Sequence, residues 1–364
     1  MPEIRIIDPT RTPQWDQWIQ SFPDCSIFHS SPWARVLMET YGHKPRYFAL
    51  MEKEQPRALL PIMEVKTLFT SKRGVSLPFS DFCEPMALDR ESFEILYASA
   101  RDHGRRNGWS SLSLRGGSQF LGFAPQREHF VGHVLDLSPG PDDLFGHFRS
   151  STRRNVARAQ KCNVRVSLEK TPKSMQSYYD LHCLTRKRHG VPPQPLSFFR
   201  QIQHHLIGRD HGFTALARHQ GRVIAGAVFL HWGKHALYKF GASDDRFYET
   251  RANNLVMWTA MEHFSRKGFA QLHLGRTEPE NTGLLQFKNG WNPKATSITY
   301  FQWNVRRERM EGTAGQDFKD ISREAPPRSK SEKRWAKESI HVIMQRMPIS
   351  LLKVAGKLIY PHAA

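Results

Sequence analysis

A short pattern occurs twice in the chain, and its two copies lie 160 positions apart. In each copy a helical stretch ends at a glycine, Gly108 or Gly268, and an alternating apolar strand follows directly. The copies are residues 107–114 and 267–274. A repeat of this length is typical of a duplicated domain rather than a solenoid. The sequence therefore predicts two domains of related topology, for which a chain of 364 residues has room.

The same order of elements leads up to each copy of the pattern. In the first half we expect strands at 46–51, 58–65 and 75–79, a helix at 90–107 and a strand at 109–114. In the second half we expect strands at 213–218, 223–232 and 235–240, a helix at 253–267 and a strand at 269–274. The predicted domains are residues 1–145 and 146–305, followed by a charged linker at 306–338 and an amphipathic helix at 339–364.

The charge of the chain is strongly basic, with 53 lysines and arginines against 34 acidic residues and a formal net charge of +19. Such a field attracts polyanions, among them RNA, nucleotide-sugar diphosphates, coenzyme A and anionic lipid, without choosing between them. A solubilising surface is the alternative. The four cysteines form no CxxC pair, and no apolar run reaches the length of a membrane-spanning helix. We therefore expect a cytoplasmic protein without a metal site.

The stretch that points most directly to chemistry contains a lysine between an aromatic residue and an Asn-Gly pair, Phe287-Lys288-Asn289-Gly290. A fixed cation there could stabilise the oxyanion that forms when an amine attacks an acyl carbonyl. The alternative is a surface lysine in a turn.

Five segments in this order resemble FemAB-like proteins of the GNAT superfamily. They are residues 28–33, 151–155, 178–190, 238–243 and 287–291. The resemblance implies an α/β (α+β) fold of two tandem acetyltransferase-like domains, with mixed sheets flanked by helices and the catalytic site in the second. It also implies transfer of an acyl or aminoacyl group onto an amine, from aminoacyl-tRNA or acyl-CoA as co-substrate and without a further cofactor.

The resemblance also assigns residues. It matches Lys288 to the lysine that supports the tetrahedral intermediate, and it places Phe287 in the same wall. Tyr238 and Arg188 match positions that contact the acceptor, and Trp33 lies in the family's N-terminal motif. The acceptor implied is an amino sugar or a peptidoglycan or polysaccharide precursor.

Two departures from the family leave the substrates open. Leu37 stands where members that bind peptidoglycan precursors tend to carry a lysine, and Phe240 replaces a tyrosine. Ordinary acetyltransferases hold the coenzyme A pyrophosphate on a glycine-rich loop at a helix N-terminus. The matching residues here, 250–254, contain no glycine, which weakens acyl-CoA as the donor and leaves room for aminoacyl-tRNA.

Further candidates come from charged residues. Arg153, Arg154 and Arg158 belong to a basic run, predicted as helical, that could grip phosphates or form a solvated helix face. Asp81 could take the proton of an acceptor amine, and Glu84 could help to bind it, although turn chemistry is the alternative for both.

The leading hypothesis is therefore an N-acyltransferase that acts on a cell-envelope or exopolysaccharide precursor. The alternatives are a nucleic-acid-binding protein without catalysis and a scaffold of an envelope-polysaccharide assembly. The C-terminal helix is expected either to pack on the second domain or to touch the inner membrane surface through its apolar face.

Overall fold

The computed structural model describes residues 2–66, 71–312 and 341–362. The strands are β1 (Glu3–Ile7), β2 (Lys44–Pro45), β3 (Tyr47–Glu52), β4 (Gln55–Leu60), β5 (Met63–Val65), β6 (Arg73–Val75), β7 (Met86–Ala87), β8 (Ser111–Leu114), β9 (Glu128–Asp136), β10 (Arg165–Glu169), β11 (Gly212–His219), β12 (Arg222–Trp232), β13 (His235–Ser243), β14 (Gln271–His273), β15 (Lys294–Asn304) and β16 (Arg309–Glu311). The helices are α1 (Trp15–Ile19), α2 (Ser31–Tyr41), α3 (Arg90–Arg106), α4 (Ser118–Leu121), α5 (Pro141–His147), α6 (Ser150–Lys161), α7 (Pro172–Arg188), α8 (Leu196–His205), α9 (Ala252–Arg266), α10 (Thr282–Asn289) and α11 (Ile349–Ile359).

The duplicated pattern is visible in the backbone. Helices α3 and α9 are each followed by the predicted glycine in a left-handed conformation, with φ of 69° at Gly108 and 68° at Gly268. A glycine takes this conformation without the penalty of a Cβ atom, so it ends both helices in the same way. In each half the helix connects two parallel strands, β6 to β8 and β13 to β14. The predicted α/β fold class is confirmed.

The two halves share one sheet. Its strand order is β10-β11-β12-β13-β14-β9-β15-β8-β6-β5-β2, with β16 beside β15, while β1, β3, β4 and β7 form a second sheet. Strand β15 pairs with β9 over residues 294–300 and with β8 over residues 301–304. Strand β9 precedes the predicted boundary at residue 145 but lies between β14 and β15 of the second half. The domain limits themselves stay a prediction.

Apolar side chains fill both faces of this sheet. One cluster joins α2 of the first half to α7 and α8 of the second, and its fully buried members include Trp33, Tyr178 and Phe198. A second cluster lies under α6 and α9, and a third packs against α3. The first cluster spans both halves, so burial of its apolar surface holds the halves together.

Two predicted strands differ from the structure, and the alternative of a surface lysine in a turn was wrong. The strand expected at 75–79 ends at Val75, because Leu77 and Phe79 adopt left-handed φ angles of 55° and 62° that a strand cannot contain. The strand expected at 58–65 is two strands, β4 and β5. The Phe287–Lys288 pair lies in helix α10 rather than in a turn, since Asn281 accepts a hydrogen bond from the amide of Leu284 and starts a helix.

The C-terminal segment is helical at residues 341–346 and again in α11, with a break before Ile349. Of the predicted linker at 306–338, Arg309–Glu311 forms β16 and residues 313–338 lie outside the described residues. Among the helices of the described ranges, none has the length and apolar character needed to cross a bilayer.

Candidate active site between the two halves

The site begins where two parallel strands separate. β13 and β14 are paired over only three positions, ending at Leu237 and His273. Beyond this point the chain after β14 turns at Gly275, which has a φ of 72°. A Cβ atom built on Gly275 would lie 3.4 Å from the carbonyl oxygen of Tyr238 and 3.8 Å from the carboxyl carbon of Asp81. The opening between the strands therefore receives a side chain from the first half of the molecule.

The loop that carries Asp81 is held in a costly conformation. Leu77 and Phe79 are bulky residues with positive φ, a combination that costs of the order of 1–3 kcal/mol per residue. Two loop carbonyls accept hydrogen bonds from the Arg115 guanidinium at 2.9 Å and from the Tyr300 hydroxyl at 2.8 Å. Surrounding side chains thus impose this conformation, as is common where a loop positions a functional group.

Lys239 fixes the same loop from the second half. Its Nζ donates to the carbonyl oxygen of Phe79 at 2.7 Å and to Oδ2 of Asp81 at 2.9 Å. Both charged side chains are buried, with 4% and 15% of their surface exposed. Lys239 is the extra residue of a β-bulge, because Phe229 pairs with Tyr238 and Val228 with Phe240. Bulges often aim a side chain next to a functional site.

The surroundings of the pair act on both of its charges. The Nζ of Lys239 lies 4.9 Å from the ring centre of Phe28 and 5.1 Å from that of Phe240. Aromatic faces attract a cation in this geometry. Burial opposes both charges and lowers the pKa of Lys239. For Asp81 the nearby cations, Lys239 first among them, outweigh burial, so the pKa of Asp81 is lowered. Asp81 is therefore a carboxylate that accepts hydrogen bonds and attracts cations.

Lys288 bonds the backbone at Gly275. Its buried Nζ donates to the carbonyl oxygens of Gly275 and Arg276, both at 3.1 Å, and to Oγ1 of Thr277 at 2.8 Å. These three bonds use all three ammonium protons. Burial lowers the pKa of Lys288 to about 8. The ammonium thus holds the chain that follows β14. It can donate to an oxyanion only if one of these three hydrogen bonds is broken.

The other residues implied by the family resemblance lie at different depths. Tyr238 and Phe287 are half-buried beside the second core, and burial raises the pKa of Tyr238 to about 12. Trp33 is fully buried, with its ring centre 5.8 Å from the Nζ of Lys239, so it forms part of the wall behind the ion pair. Arg188, at the end of α7, donates to the carbonyl oxygen of Ser243 at 3.4 Å.

Glu84 lines a small pocket between the halves. Its carboxylate accepts the amide hydrogen of Gly117 at 2.6 Å, and burial raises its pKa. The pocket measures about 170 Å³ and is also lined by His235 and His273. Burial lowers the pKa of His273 to about 4, and its Nδ1 accepts the amide hydrogen of Gly275 at 2.9 Å. This pocket therefore borders the same opening as Asp81.

The basic run forms helix α6 as predicted, but its arginines are not equivalent. Arg158 donates to the backbone and side-chain oxygens of Glu249, at 2.7 Å and 3.1 Å, and so ties α6 to the chain before α9. Arg153 and Arg154 are exposed. A phosphate-binding role for the run stays a prediction that rests on these two side chains.

Sequence reasoning missed Lys239, His273 and Thr277. A charged residue inside the apolar strand His235–Ser243 was the available signal for Lys239. His273 and Thr277 gave no comparable signal: His273 bonds the amide of Gly275 in the folded turn, and Thr277 acquires its partner only when the chain after β14 meets Lys288 of α10. Among the described residues, no group of three or more His, Cys, Asp or Glu side chains is placed to hold a metal ion.

Comparison with known proteins identifies the second half. Residues 146–289 match the model of the acetyltransferase (GNAT) domain family. No curated protein matches the sequence significantly.

Solved structures resemble most of the chain. FemX is 14% identical, with a TM-score of 0.64 over 82% of this chain and 96% of that one. A tandem GNAT protein from the clavulanic acid biosynthesis pathway is 12% identical, with a TM-score of 0.53 over 84% and 99%. L-PGS from Bacillus licheniformis is 10% identical, with a TM-score of 0.54 over 94% and 100%. At these identities the structures establish the fold.

The family match confirms the prediction of an acyltransferase through the acetyltransferase (GNAT) domain at residues 146–289. The fold shared with FemX and the tandem GNAT protein agrees with the predicted resemblance to FemAB-like proteins.

Proposed function

We propose that this acyltransferase moves an acyl or aminoacyl group onto an amino group of a cell-envelope or exopolysaccharide precursor and so forms an amide. The observation that carries the proposal is the buried Asp81–Lys239 pair at the opening between β13 and β14, with the Lys288 ammonium bonded to the carbonyl oxygen of Gly275. The GNAT family match and the fold shared with FemX and L-PGS support the same reaction class.

The reaction needs a neutral amine beside an activated carbonyl. The amine nitrogen forms a bond to the carbonyl carbon, and the bond from that carbon to the donor's oxygen or sulfur breaks. The Asp81 carboxylate is suited to hold the amine and to stabilise the positive charge that develops on nitrogen. The released proton leaves with the departing alcohol or thiol. Lys288 would donate to the oxyanion after releasing one of its backbone acceptors.

The backbone at the start of α9 is compatible with two acyl-group donors. Arg251, with a φ of 56°, precedes the first residue of α9, and no side chain caps that end of the helix. Helix N-termini attract phosphate groups. Aminoacyl-tRNA and acyl-CoA both carry phosphates, and we keep both as candidate donors.

The test uses purified full-length protein with charged tRNA or with labelled acyl-CoAs, each with an amino-sugar acceptor. One donor class is expected to raise the unfolding temperature, because ligand binding to the native state stabilises it, and to label the acceptor. Asp81→Asn is the matched variant for the role of the Asp81 carboxylate, since it keeps the shape of the side chain and removes its charge. The proposal is wrong if no donor class labels an amine.

We further propose that the C-terminal segment brings the enzyme to a membrane surface. On α11, Leu352 is fully buried, while Leu351, Val354 and Leu358 are exposed by 55–65%. The Nζ of Lys353 lies 5.2 Å from the ring centre of Tyr179, so this lysine faces the domain. The helix thus packs on the domain and also presents an apolar face, which suits the boundary of an anionic bilayer.

Vesicle flotation tests the membrane proposal. Full-length protein is expected to float with anionic vesicles, and a version ending at Lys337 is not. Replacing Leu351, Val354 and Leu358 together by serine should lower partitioning by about tenfold or more, because each exposed side chain contributes apolar area to the contact. These residues are exposed, so the fold should be kept. Equal flotation of all three proteins would contradict the proposal.

A further inference from the structure

The outer side of α8 carries a cavity that the acyltransfer site does not use. It measures about 890 Å³. The inner side of the same helix faces the core, where Phe199 lies 5.4 Å from Phe240 of β13. The cavity opens on the opposite side, at Arg200 and His204. It therefore lies apart from the Asp81–Lys239 pair, separated from it by the helix.

The walls of the cavity are basic. Lys170, Lys173, Arg200 and Arg209 line it together with His204, and no acidic side chain is among its described lining residues. Lys170 has an acidic partner, Asp210, at 2.8 Å. The cavity thus concentrates positive charge on an open surface, which attracts anions.

Helix α7 adds to this field. The cavity is lined by its first two residues, Pro172 and Lys173, and the helix is 17 residues long. The N-terminus of a helix bears the positive end of its dipole. Thr171 already accepts the amide hydrogen of Ser174, so the helix end contributes through its dipole rather than through that amide.

A buried amide shows that the cavity is built for more than charge. Gln203 is 7% exposed and lines the cavity. Its Nε2 donates to the carbonyl oxygen of Lys170 at 2.8 Å, which fixes the orientation of the amide. Its Oε1 has no hydrogen-bond partner among the described residues. A buried acceptor without a partner is unfavourable, so a ligand that donates a hydrogen bond there would be stabilised.

We propose that this cavity binds the phosphate of a ribonucleotide, with the cations on the phosphate and a hydroxyl or amino group of the nucleotide on Gln203. Phosphate matches the basic wall, and the sugar and base supply the donor that an inorganic anion lacks. Leu196, which is half-buried, provides apolar surface for the base. Two sources have this chemistry, a free nucleotide and an RNA strand. The inference does not depend on acyl transfer.

Binding measurements on the full-length protein test the proposal and separate the sources. The probes are inorganic phosphate, AMP and a ten-nucleotide single-stranded RNA. The variant is Lys173→Ala with Arg200→Ala. The matched control is Arg165→Ala with Lys267→Ala, which removes one arginine and one lysine that are exposed elsewhere on the second half.

The cavity variant is expected to weaken binding of AMP or RNA by about tenfold or more, because each charge-assisted hydrogen bond contributes about 1.5–3 kcal/mol. The control variant should stay within about twofold of the parent. Gln203→Leu keeps the cations and should weaken the same ligand by about threefold to tenfold, the effect of one hydrogen bond.

The ligand whose binding the cavity variant weakens tells a free nucleotide from an RNA strand. Loss of AMP binding identifies a free nucleotide. Loss of RNA binding, with a salt dependence whose slope falls by about 1.4 for two lost phosphate contacts, identifies RNA. The proposal is overturned if the cavity variant binds AMP and RNA as tightly as the control does, or if inorganic phosphate binds as tightly as AMP and Gln203→Leu changes nothing.

Discussion

Replacing Lys239 by alanine is expected to lower the free energy of unfolding by about 3–5 kcal/mol, the range for breaking a buried ion pair by removing one partner. The lysine is buried and bonds both the Asp81 carboxylate and the carbonyl of Phe79. Without it, a carboxylate stays buried without its main counter-charge. The left-handed loop around Leu77 and Phe79 also loses a tether. Chemical denaturation measures the change.

Two further variants separate this effect from an ordinary loss of charge. Arg266→Ala breaks an exposed pair with Glu262 on α9 and should cost less than about 1 kcal/mol. Lys239→Met combined with Asp81→Leu should recover much of the stability, because apolar residues of similar volume often replace a buried ion pair without loss. Hydrogen exchange at residues 76–85 should increase in Lys239→Ala alone. A cost for Lys239→Ala as small as that for Arg266→Ala would contradict the role assigned to the pair.

The features that sequence reasoning predicted well are local ones. Gly108 and Gly268 end their helices through a backbone conformation that glycine itself favours, so the repeat could be identified without tertiary information. Helix α2 carries signals of the same local kind: Ser30 caps it, a proline lies in its first turn and Gly42 ends it with a φ of 70°. Such signals depend on neighbours within four residues.

The features that were missed depend on distant partners. Strand β9 pairs with β14 and β15, whose residues lie more than 130 positions further along the chain. Nothing in the sequence of β9 itself indicates that it pairs with strands of the second half. The Asp81–Lys239 contact joins residues 158 positions apart. Asp81 was identified as a candidate from its turn, but its counter-ion could not be, because the bulge that aims Lys239 arises from pairing between β12 and β13. Tertiary pairing decides such details.

Lys288→Ala is expected to lower turnover by at least about tenfold, and by about 10²–10³-fold if the ammonium is a full oxyanion donor in the transition state. The effect should fall on kcat more than on KM, since the donor acts on charge that develops during the reaction. Because the same ammonium bonds Gly275, Arg276 and Thr277, the variant must also be tested for folding. Thr277→Val is the matched control: it removes one of those bonds and keeps the charge.

The pH dependence distinguishes a catalytic lysine from a purely structural one. Burial lowers the pKa of Lys288 to about 8, so the cationic donor is complete below that pH and is lost as the pH rises through it. Turnover of the parent should therefore fall above about pH 8. In Lys288→Arg the limb should move to higher pH, because a guanidinium keeps its proton to above about pH 12. Full turnover in Lys288→Ala, or an alkaline limb that Lys288→Arg leaves in place, would remove Lys288 from the chemistry. Its three hydrogen bonds would then explain its burial by themselves, as a brace for the chain that positions Gly275 against Asp81.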